Sequence, residues 1–361
     1  TGFNMEKMNN FYKNKKILVT GATGFKGSWL CCWLLHMGAK VYGTGYSPNQ
    51  NKNLFYQLKL NKKIRLGIFD IRDKKRLDKF ILKSKPSIIF HLAAQPLIIE
   101  SYLKPHKTID VNVGGTLNIL EASKNYAFVK SVVMITSDKC YENVGKLTRY
   151  KEDDVLGGID PYSASKSSSE LIIRAYRESF FKDKRKCGIS SARAGNVIGG
   201  GDWSANRLIP DGIRSLLKGK SIYLRNPNFN RPWQHVLEPL RGYLILAKKQ
   251  FINPKKFSDA WNFGTKNNSI KSVKEIVEYM ISFWGNGKIK YNKKVKYYEQ
   301  KNLQLDIKKA KRYLDWYPTY SVKNGVKITT EWYKDVFKNK KDPFKVTINQ
   351  ILEYMNENNW R

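Results

Sequence analysis

Lys16-Ile17-Leu18-Val19-Thr20-Gly21-Ala22-Thr23-Gly24-Phe25-Lys26-Gly27 is a short apolar run that ends in three glycines spaced three apart. The run predicts a buried β-strand over 16–20. From Phe25 to Met37 the residues Trp29, Leu30, Trp33, Leu34 and Met37 recur at helical spacing, so a helix follows the glycines at once. Any tight turn can use glycine. A glycine turn between a strand and a helix does more, because it gathers backbone N–H groups and the positive end of the helix dipole where no side chain blocks an anion. The stretch therefore reads as the diphosphate-binding turn of a dinucleotide-binding βαβ unit.

Further short β runs appear at 40–44, 64–69, 87–92, 131–136 and 188–192, with helical patterns between them at 73–84, 108–126 and 161–181. Strands alternating with helices predict a parallel sheet, and right-handed crossovers make it doubly wound. Past Arg193 the alternation degrades into shorter segments richer in Gly, Pro and Trp, with helices expected at 206–218, 238–250, 271–284 and 322–337. The expected organisation is a cofactor domain over 11–192 and a smaller α/β substrate lobe over 193–361, with some interleaving of the chain.

Lys and Arg number 66 against 30 Asp and Glu, a net charge of +36. The lysines are spread along all 361 residues, and the runs at 13–16 and 338–341 are short. This reads as a solvated, Lys-rich surface with no nucleic-acid partner, whose field would draw in an anionic substrate. No apolar run reaches the roughly 18 residues that cross a bilayer. Residues 1–10 carry no apolar signal core, and Thr1 to Asn4 ahead of Met5 read as an expression remnant. Cys31, Cys32, Cys140 and Cys187 show neither metal nor disulfide spacing, so inert thiols, no metal and a cytoplasmic location are expected.

The second stretch that carries chemistry is Tyr162-Ser163-Ala164-Ser165-Lys166. On a helix, i and i+4 share a face, so phenol and ammonium point the same way. A phenol is a poor base at neutral pH, but an adjacent cation favours phenolate, which can take a proton from a sugar hydroxyl. Ser137, at the end of the 131–136 strand, would complete the proton path. The end of the second strand offers Thr44, Gly45, Tyr46 and Ser47, with neither the acid expected for an adenosine ribose nor an Arg for a 2′-phosphate. Asp70, after the third strand, would accept from adenine or cap the next helix.

Together with His91-Leu92-Ala93-Ala94-Gln95, Asn112-Val113-Gly114-Gly115-Thr116, Ala192-Arg193-Ala194-Gly195-Asn196-Val197 and the tail segments 305–310 and 314–318, these motifs resemble the extended short-chain dehydrogenase/reductase family over nearly the whole chain. The resemblance implies a Rossmann-like doubly wound α/β fold, NAD as cofactor, and a homodimer paired through the 108–126 and 161–181 helices. It assigns to the cofactor Gly21, Thr23, Gly24, Phe25, Lys26, Gly27, Asp70, Ile71, Leu92, Ala93, Ala94, Gln95, Asn112, Thr136, Tyr162, Lys166 and Arg193.

Thr136-Ser137-Asp138-Lys139-Cys140-Tyr141-Glu142 discriminates within that family. Epimerases typically lack an acid directly after the hydroxyl. The 4,6-dehydratases have one, and the acid protonates the departing C6 hydroxyl. Many follow it with Glu as the C5 base; Lys139 here resembles the CDP-glucose branch, leaving neutral Lys139, Tyr162 or a water as the base. The resemblance thus implies a catalytic set of Ser137, Asp138, Lys139, Tyr162 and Lys166. It implies substrate contacts from Gln95, Tyr102, Ser137, Asn196, Arg207, Arg231, Gln234 and His235. Arg231, whose planar fork suits a diphosphate, is first among these. The activity implied is dehydration of CDP-glucose to its 4-keto-6-deoxy product by an internal hydride cycle, for deoxysugar and surface-polysaccharide synthesis. Alternatives are dehydration or epimerisation of another nucleotide-sugar, or a non-catalytic NAD-binding regulator.

Overall fold

The computed structural model describes residues 5–46, 53–145, 148–182, 187–266, 270–291 and 303–358. Ser47 and residues 1–4, singled out above, lie outside them. Seven strands form the main sheet: β1 (Lys16–Thr20), β2 (Lys40–Gly45), β3 (Arg65–Ile68), β4 (Ile88–His91), β5 (Ser131–Ile135), β6 (Gly188–Ala194) and, from later in the chain, β10 (Ala260–Phe263). All pairs are parallel in the order β10-β6-β5-β4-β1-β2-β3. The chain winds outward from β1 to β3, then returns to place β4 on the other side of β1. The C-terminal ends of β1 and β4 therefore flank the switch point, where ligands bind in sheets of this kind.

Successive side chains on a strand face opposite sides. Ile17 and Val19 enter one apolar core and Leu18 the other; Ile88 and Phe90 are likewise split from Ile89, and Val133 and Ile135 from Val132 and Met134. One core is covered by Phe25–His36 and Leu237–Ile252, the other by Lys74–Ser84, Gly115–Asn125 and Pro161–Tyr176. Phe25–His36 is buried nearly all round because Pro343–Glu357 packs over it, with Trp33 edge-on to Tyr354. That last helix is absent from the sequence expectations, although Asp342 caps it and Pro343 opens it.

Beyond β6 the chain forms a three-stranded sheet of β7 (Asn196–Ile198), β9 (Asn230–His235) and β11 (Ile270–Ser272), and a separate pair, β8 (Ile222–Leu224) with β12 (Ile289–Tyr291). Strand β10 and helix Leu237–Ile252 come from beyond residue 193 yet build the main sheet and its cover. The helical stretch expected at 108–126 begins earlier, at Pro105, and carries a π-bulge over Asp110–Gly114. Such bulges concentrate at functional sites.

Candidate active site

Gly21 opens the glycine turn with φ +69, a conformation that L side chains rarely adopt, and a Cβ there would stand 2.7 Å from the backbone nitrogen of Ala93. A Cβ on Gly27 would overlap the Gly21 carbonyl oxygen, and one on Gly45, at the end of β2, would overlap Thr23. The turn after β1 and the Leu92–Gln95 loop after β4 thus lie back to back. Thr20 Oγ1 ties them, 2.7 Å from His91 Nδ1 and 3.3 Å from the Ala93 N–H it accepts. Burial, then the charge of Lys166, pushes His91 down to about 3, so it is a neutral structural imidazole.

Tyr162 and Lys166 occupy successive turns at the start of Pro161–Tyr176. The helix begins there because Asp160 accepts from the Ser163 N–H (2.9 Å) and hydroxyl (2.6 Å), and Pro161 has no N–H to waste. Both side chains are buried. Ser137, where β5 gives way to the 3₁₀ turn Asp138–Cys140, donates to Asp138 Oδ1 at 3.0 Å, and its hydroxyl favours the phenolate form of Tyr162. Phenol, hydroxyl and carboxyl therefore act on one another.

Burial raises the Asp138 carboxyl above its ordinary range, against the charges of Lys139 and Lys26 and the Ser137 hydrogen bond. Its oxygen fills the space that a Cβ on Gly195 would need, 2.8 Å away, so the chain after β6 must carry glycine there. Burial likewise pushes Tyr162 up to about 12; the Ser137 bond and Arg207 oppose this, and Asp138 adds to it. Lys166 is pushed down to about 8 by burial, with Glu170 opposing. Its ammonium makes no hydrogen bond or ion pair with any described residue. Half-buried Lys26, between Gly24 and Gly27, is pushed down to about 8 by burial and the charges of Arg207 and Lys166, with Asp138 and Asp202 opposing. Arg207 itself pairs with Asp202 at 3.1 Å.

Several residues expected in the site are engaged elsewhere. The Arg193 guanidinium is buried against Glu170 (2.7 Å), the Tyr141 hydroxyl (2.6 Å) and the Glu152 carbonyl. Thr136 turns its hydroxyl to the same Glu170, which also accepts from Ser191 at 2.7 Å. Gln95 spends its side-chain amide on Leu97 and Thr108, and its backbone is held at both ends by Asn112, whose Nδ2 also reaches Ser165 at 2.8 Å. Both therefore brace the catalytic helix against the β4 loop. His235 is corrected to a core residue: buried edge-on to Trp29 and Tyr320, it is pushed down to about 3 by burial. Gln234 donates into β10 at the Phe263 carbonyl.

Asp70 holds Arg72 through its N–H and its guanidinium, and Arg72 in turn reaches Asp110 at 2.6 Å; the helix cap is Asp73 instead. Ile71 is buried against Gly115. Tyr102 is 44% exposed. Asn196 pairs with Trp233 across β7 and β9, and Arg231, one strand position from Pro232, lies near the Phe229 ring. Pro232 also borders the space at Gly195, so β9 runs beside Asp138. The reading of the sequence missed Glu170, although it lies four residues beyond Lys166 on the same helix face, and it missed Asp160.

Residues 18–329 match a sequence model of the family described as GDP-mannose 4,6 dehydratase. The chain belongs to that family. Among its curated relatives, the CDP-glucose 4,6-dehydratase of Salmonella typhimurium is 43% identical over 330 residues, spanning 90% of this chain and 92% of the relative. A putative UDP-glucose 4-epimerase of Methanocaldococcus jannaschii is 30% identical, over 88% of this chain and 98% of the relative. DesIV, the dTDP-glucose 4,6-dehydratase of Streptomyces venezuelae solved with NAD and TYD bound, shares the fold at TM-score 0.76 and 23% identity, covering 91% of this chain and 99% of that one. The 4,6-dehydratase family and the extended short-chain dehydrogenase/reductase fold agree with the sheet order and with the Tyr162/Lys166 pair. Two features fit a dinucleotide: a glycine turn whose backbone no side chain of its own covers, and a buried ammonium at Lys166 with no hydrogen bond or ion pair among the described residues. Among the described residues, no group of three His, Cys, Asp or Glu side chains could hold a metal, and no helix is long and apolar enough to cross a membrane.

Proposed function

We propose that this chain is an NAD-dependent CDP-glucose 4,6-dehydratase that forms CDP-4-keto-6-deoxyglucose. The observation that carries the reading is Ser137, whose hydroxyl donates to the carboxyl of Asp138 and favours the phenolate of the Tyr162/Lys166 pair. An epimerase needs only the phenol; loss of a hydroxyl needs a proton donor beside it. The 43% identical relative supports CDP-glucose as the substrate.

In this reading the 21–27 turn holds the cofactor diphosphate through its backbone N–H groups, Asp70 and Ile71 stand at the adenine end, and Lys166 meets the nicotinamide end. NAD supplies a reversible acceptor for the C4 hydride, which is returned at C6. Tyr162 takes the proton of the C4 hydroxyl. Burial disfavours phenolate in the free protein, so the charge of Lys166 and of the bound cofactor must lower the cost of deprotonation. The new 4-keto group acidifies C5–H. Asp138, whose carboxyl burial raises above its ordinary range, gives its proton to the departing C6 hydroxyl, which leaves as water. Tyr162 has then gained a proton and Asp138 has lost one, and Ser137 lies between them to return it. Arg207 and Arg231 are the cations for the substrate diphosphate, with Asn196 beside them.

Residues 11–192 would supply most of the cofactor site and 193–361 most of the substrate site. Exposed Ile109, Leu117, Leu171 and Phe180, on the 105–125 and 161–181 helices, favour a homodimer through that face. The four buried cysteines, none of them in a disulfide, suit a cytoplasmic protein. The deciding assay incubates the protein with NAD and CDP-, dTDP-, UDP- or GDP-glucose and reads the alkaline absorbance of the 4-keto product. Turnover of another nucleotide-sugar in preference to CDP-glucose would replace the substrate assignment. Epimer without keto product would replace the reaction. Light scattering that finds a monomer would remove the dimer.

A further inference from the structure

We infer that Tyr141 is a positioning residue for the proposed dehydration: its buried hydroxyl, held by Arg193 and through it by Glu170, sets where the turn that carries Asp138 presents its carboxyl. The inference rests on the dehydratase reading and concerns its elimination step alone.

The turn Asp138–Cys140 is held only weakly by its own backbone. The Cys140 N–H reaches the Ser137 carbonyl at 3.3 Å and the Tyr141 N–H reaches the Asp138 carbonyl at 3.4 Å, beyond the usual range for such bonds. Its shape must therefore come from what anchors its ends. At the near end, the Thr136 hydroxyl donates to Glu170 Oε1. At the far end, the Tyr141 hydroxyl accepts from Arg193 Nη1 at 2.6 Å and donates to Asn262 Oδ1 at 2.8 Å. Arg193 Nη2 then returns to Glu170, on Oε2, at 2.7 Å. The Cys140 carbonyl also accepts from the Gly157 N–H at 2.9 Å, but that bond leads to the loop before the catalytic helix and not to the helix itself.

Ser137 and Asp138 thus lie between two residues tied to the two oxygens of one carboxylate. Glu170 belongs to Pro161–Tyr176, four residues beyond Lys166, which is itself four beyond Tyr162, so the three side chains follow one stripe of the helix. Phenol, ammonium and acid therefore share a single buried frame, in which Tyr141 and Asn262 are both 0% exposed. Removing the Tyr141 hydroxyl frees the far end of the turn without dismantling that frame. Arg193 keeps Glu170 and the Glu152 carbonyl, and a phenyl ring still fills the place against Tyr150, 5.2 Å between centroids. Tyr162 and Lys166 stay on their helix, so only the acid loses its placement. A displacement of about 1 Å is enough to cost a reacting group most of its effect.

The test uses the full chain with NAD and CDP-glucose, comparing wild type with Tyr141→Phe, Asp138→Asn, the double variant and Tyr150→Phe. Reduced-nicotinamide absorbance in the first turnover reports oxidation at C4, and mass spectrometry of the sugar nucleotide reports loss of water. Tyr141→Phe should keep C4 oxidation near wild type while slowing loss of water about 10²-fold, so that reduced nicotinamide accumulates. In the Asp138→Asn background the same substitution should add nothing, because it acts through that carboxyl. Tyr150→Phe takes a hydroxyl from the same aromatic pair, one that bonds Asn143 at 3.3 Å, and should leave both steps near wild type. Equal slowing of both steps in Tyr141→Phe would overturn the assignment, as would a loss that adds to that of Asp138→Asn or an equal effect in Tyr150→Phe. A second readout needs no substrate. Amide hydrogen exchange over residues 136–142 should rise about tenfold or more in Tyr141→Phe, as loss of a hydrogen bond from a charged group does, with the 161–176 helix unchanged. Wild-type exchange over 136–142 in that variant would also overturn the assignment. If wild type itself forms no dehydrated product, the dehydratase reading fails, and the exchange measurement still decides whether Tyr141 holds the turn.

Discussion

Arg193 and Glu170 meet at 2.7 Å with both side chains at most 3% exposed, one helical turn past Lys166. Glu170 also accepts from Thr136 and Ser191, so this one carboxylate ties the end of β5 and strand β6 to the catalytic helix. Removing one partner of a buried pair leaves the other charged and unsolvated. Arg193→Met should therefore cost about 3–5 kcal/mol in urea unfolding.

The same pair predicts a pH dependence. Burial opposes ionisation of Glu170, but Arg193 and the hydrogen bonds from Arg193, Thr136 and Ser191 outweigh it and hold the carboxyl below its ordinary range. A depressed carboxyl contributes stability above its unfolded-state pKa and loses it as pH falls through the folded value. The stability gap between wild type and Glu170→Gln should therefore be widest near neutrality and close on acidification. A gap that is constant with pH would assign the loss to packing alone.

Asp138 predicts the opposite sign. Its carboxyl is raised by burial, so it contributes full stability below the unfolded-state value and loses it as pH rises through the folded one. Asp138→Asn should therefore raise the thermal midpoint at neutral or alkaline pH while lowering dehydration about 10²–10⁴-fold. Accumulation of reduced nicotinamide would show that oxidation at C4 survives. Full dehydration by this variant would remove the acid assignment.

The elements that were legible are those where periodicity and burial agree. The run 16–20, the helix after Gly24 and the pair Tyr162/Lys166 all lie where one face or one turn has a single solution. What escaped depends on contacts far apart in the chain. Arg193 looks like a ligand residue in its motif, yet its partner, Glu170, is fixed only when β6 packs beside the catalytic helix. His235 is polar in sequence and becomes core because Trp29 and Tyr320 close around it. Strand β10 is four residues of ordinary composition whose place is set by pairing with β6.

A smaller change tests the cradle. A Cβ at Gly27 would overlap the Gly21 carbonyl, which has backbone and no flexible side chain to yield. Gly27→Ala should force the turn open, cost about 1–3 kcal/mol of stability as overpacking does, and abolish NAD binding in a fluorescence titration. Unaltered NAD affinity would show that the diphosphate does not rest on this turn.

Ser137 offers the sharpest division between positioning and proton transfer. Its hydroxyl donates to Asp138 and favours the Tyr162 phenolate, and the Lys139 N–H donates to the same oxygen at 3.2 Å. Each catalytic cycle leaves Tyr162 with one proton too many and Asp138 with one too few, so a path between them resets the site without solvent. Ser137→Ala breaks the path and should slow steady turnover about 10²-fold or more, while a single round of C4 oxidation in the first turnover stays near wild type. Ser137→Thr keeps the hydroxyl and should restore turnover. If Ser137→Ala instead slows the first oxidation as much as steady turnover, the hydroxyl serves the phenol directly, and the return of the proton to Asp138 must run through water.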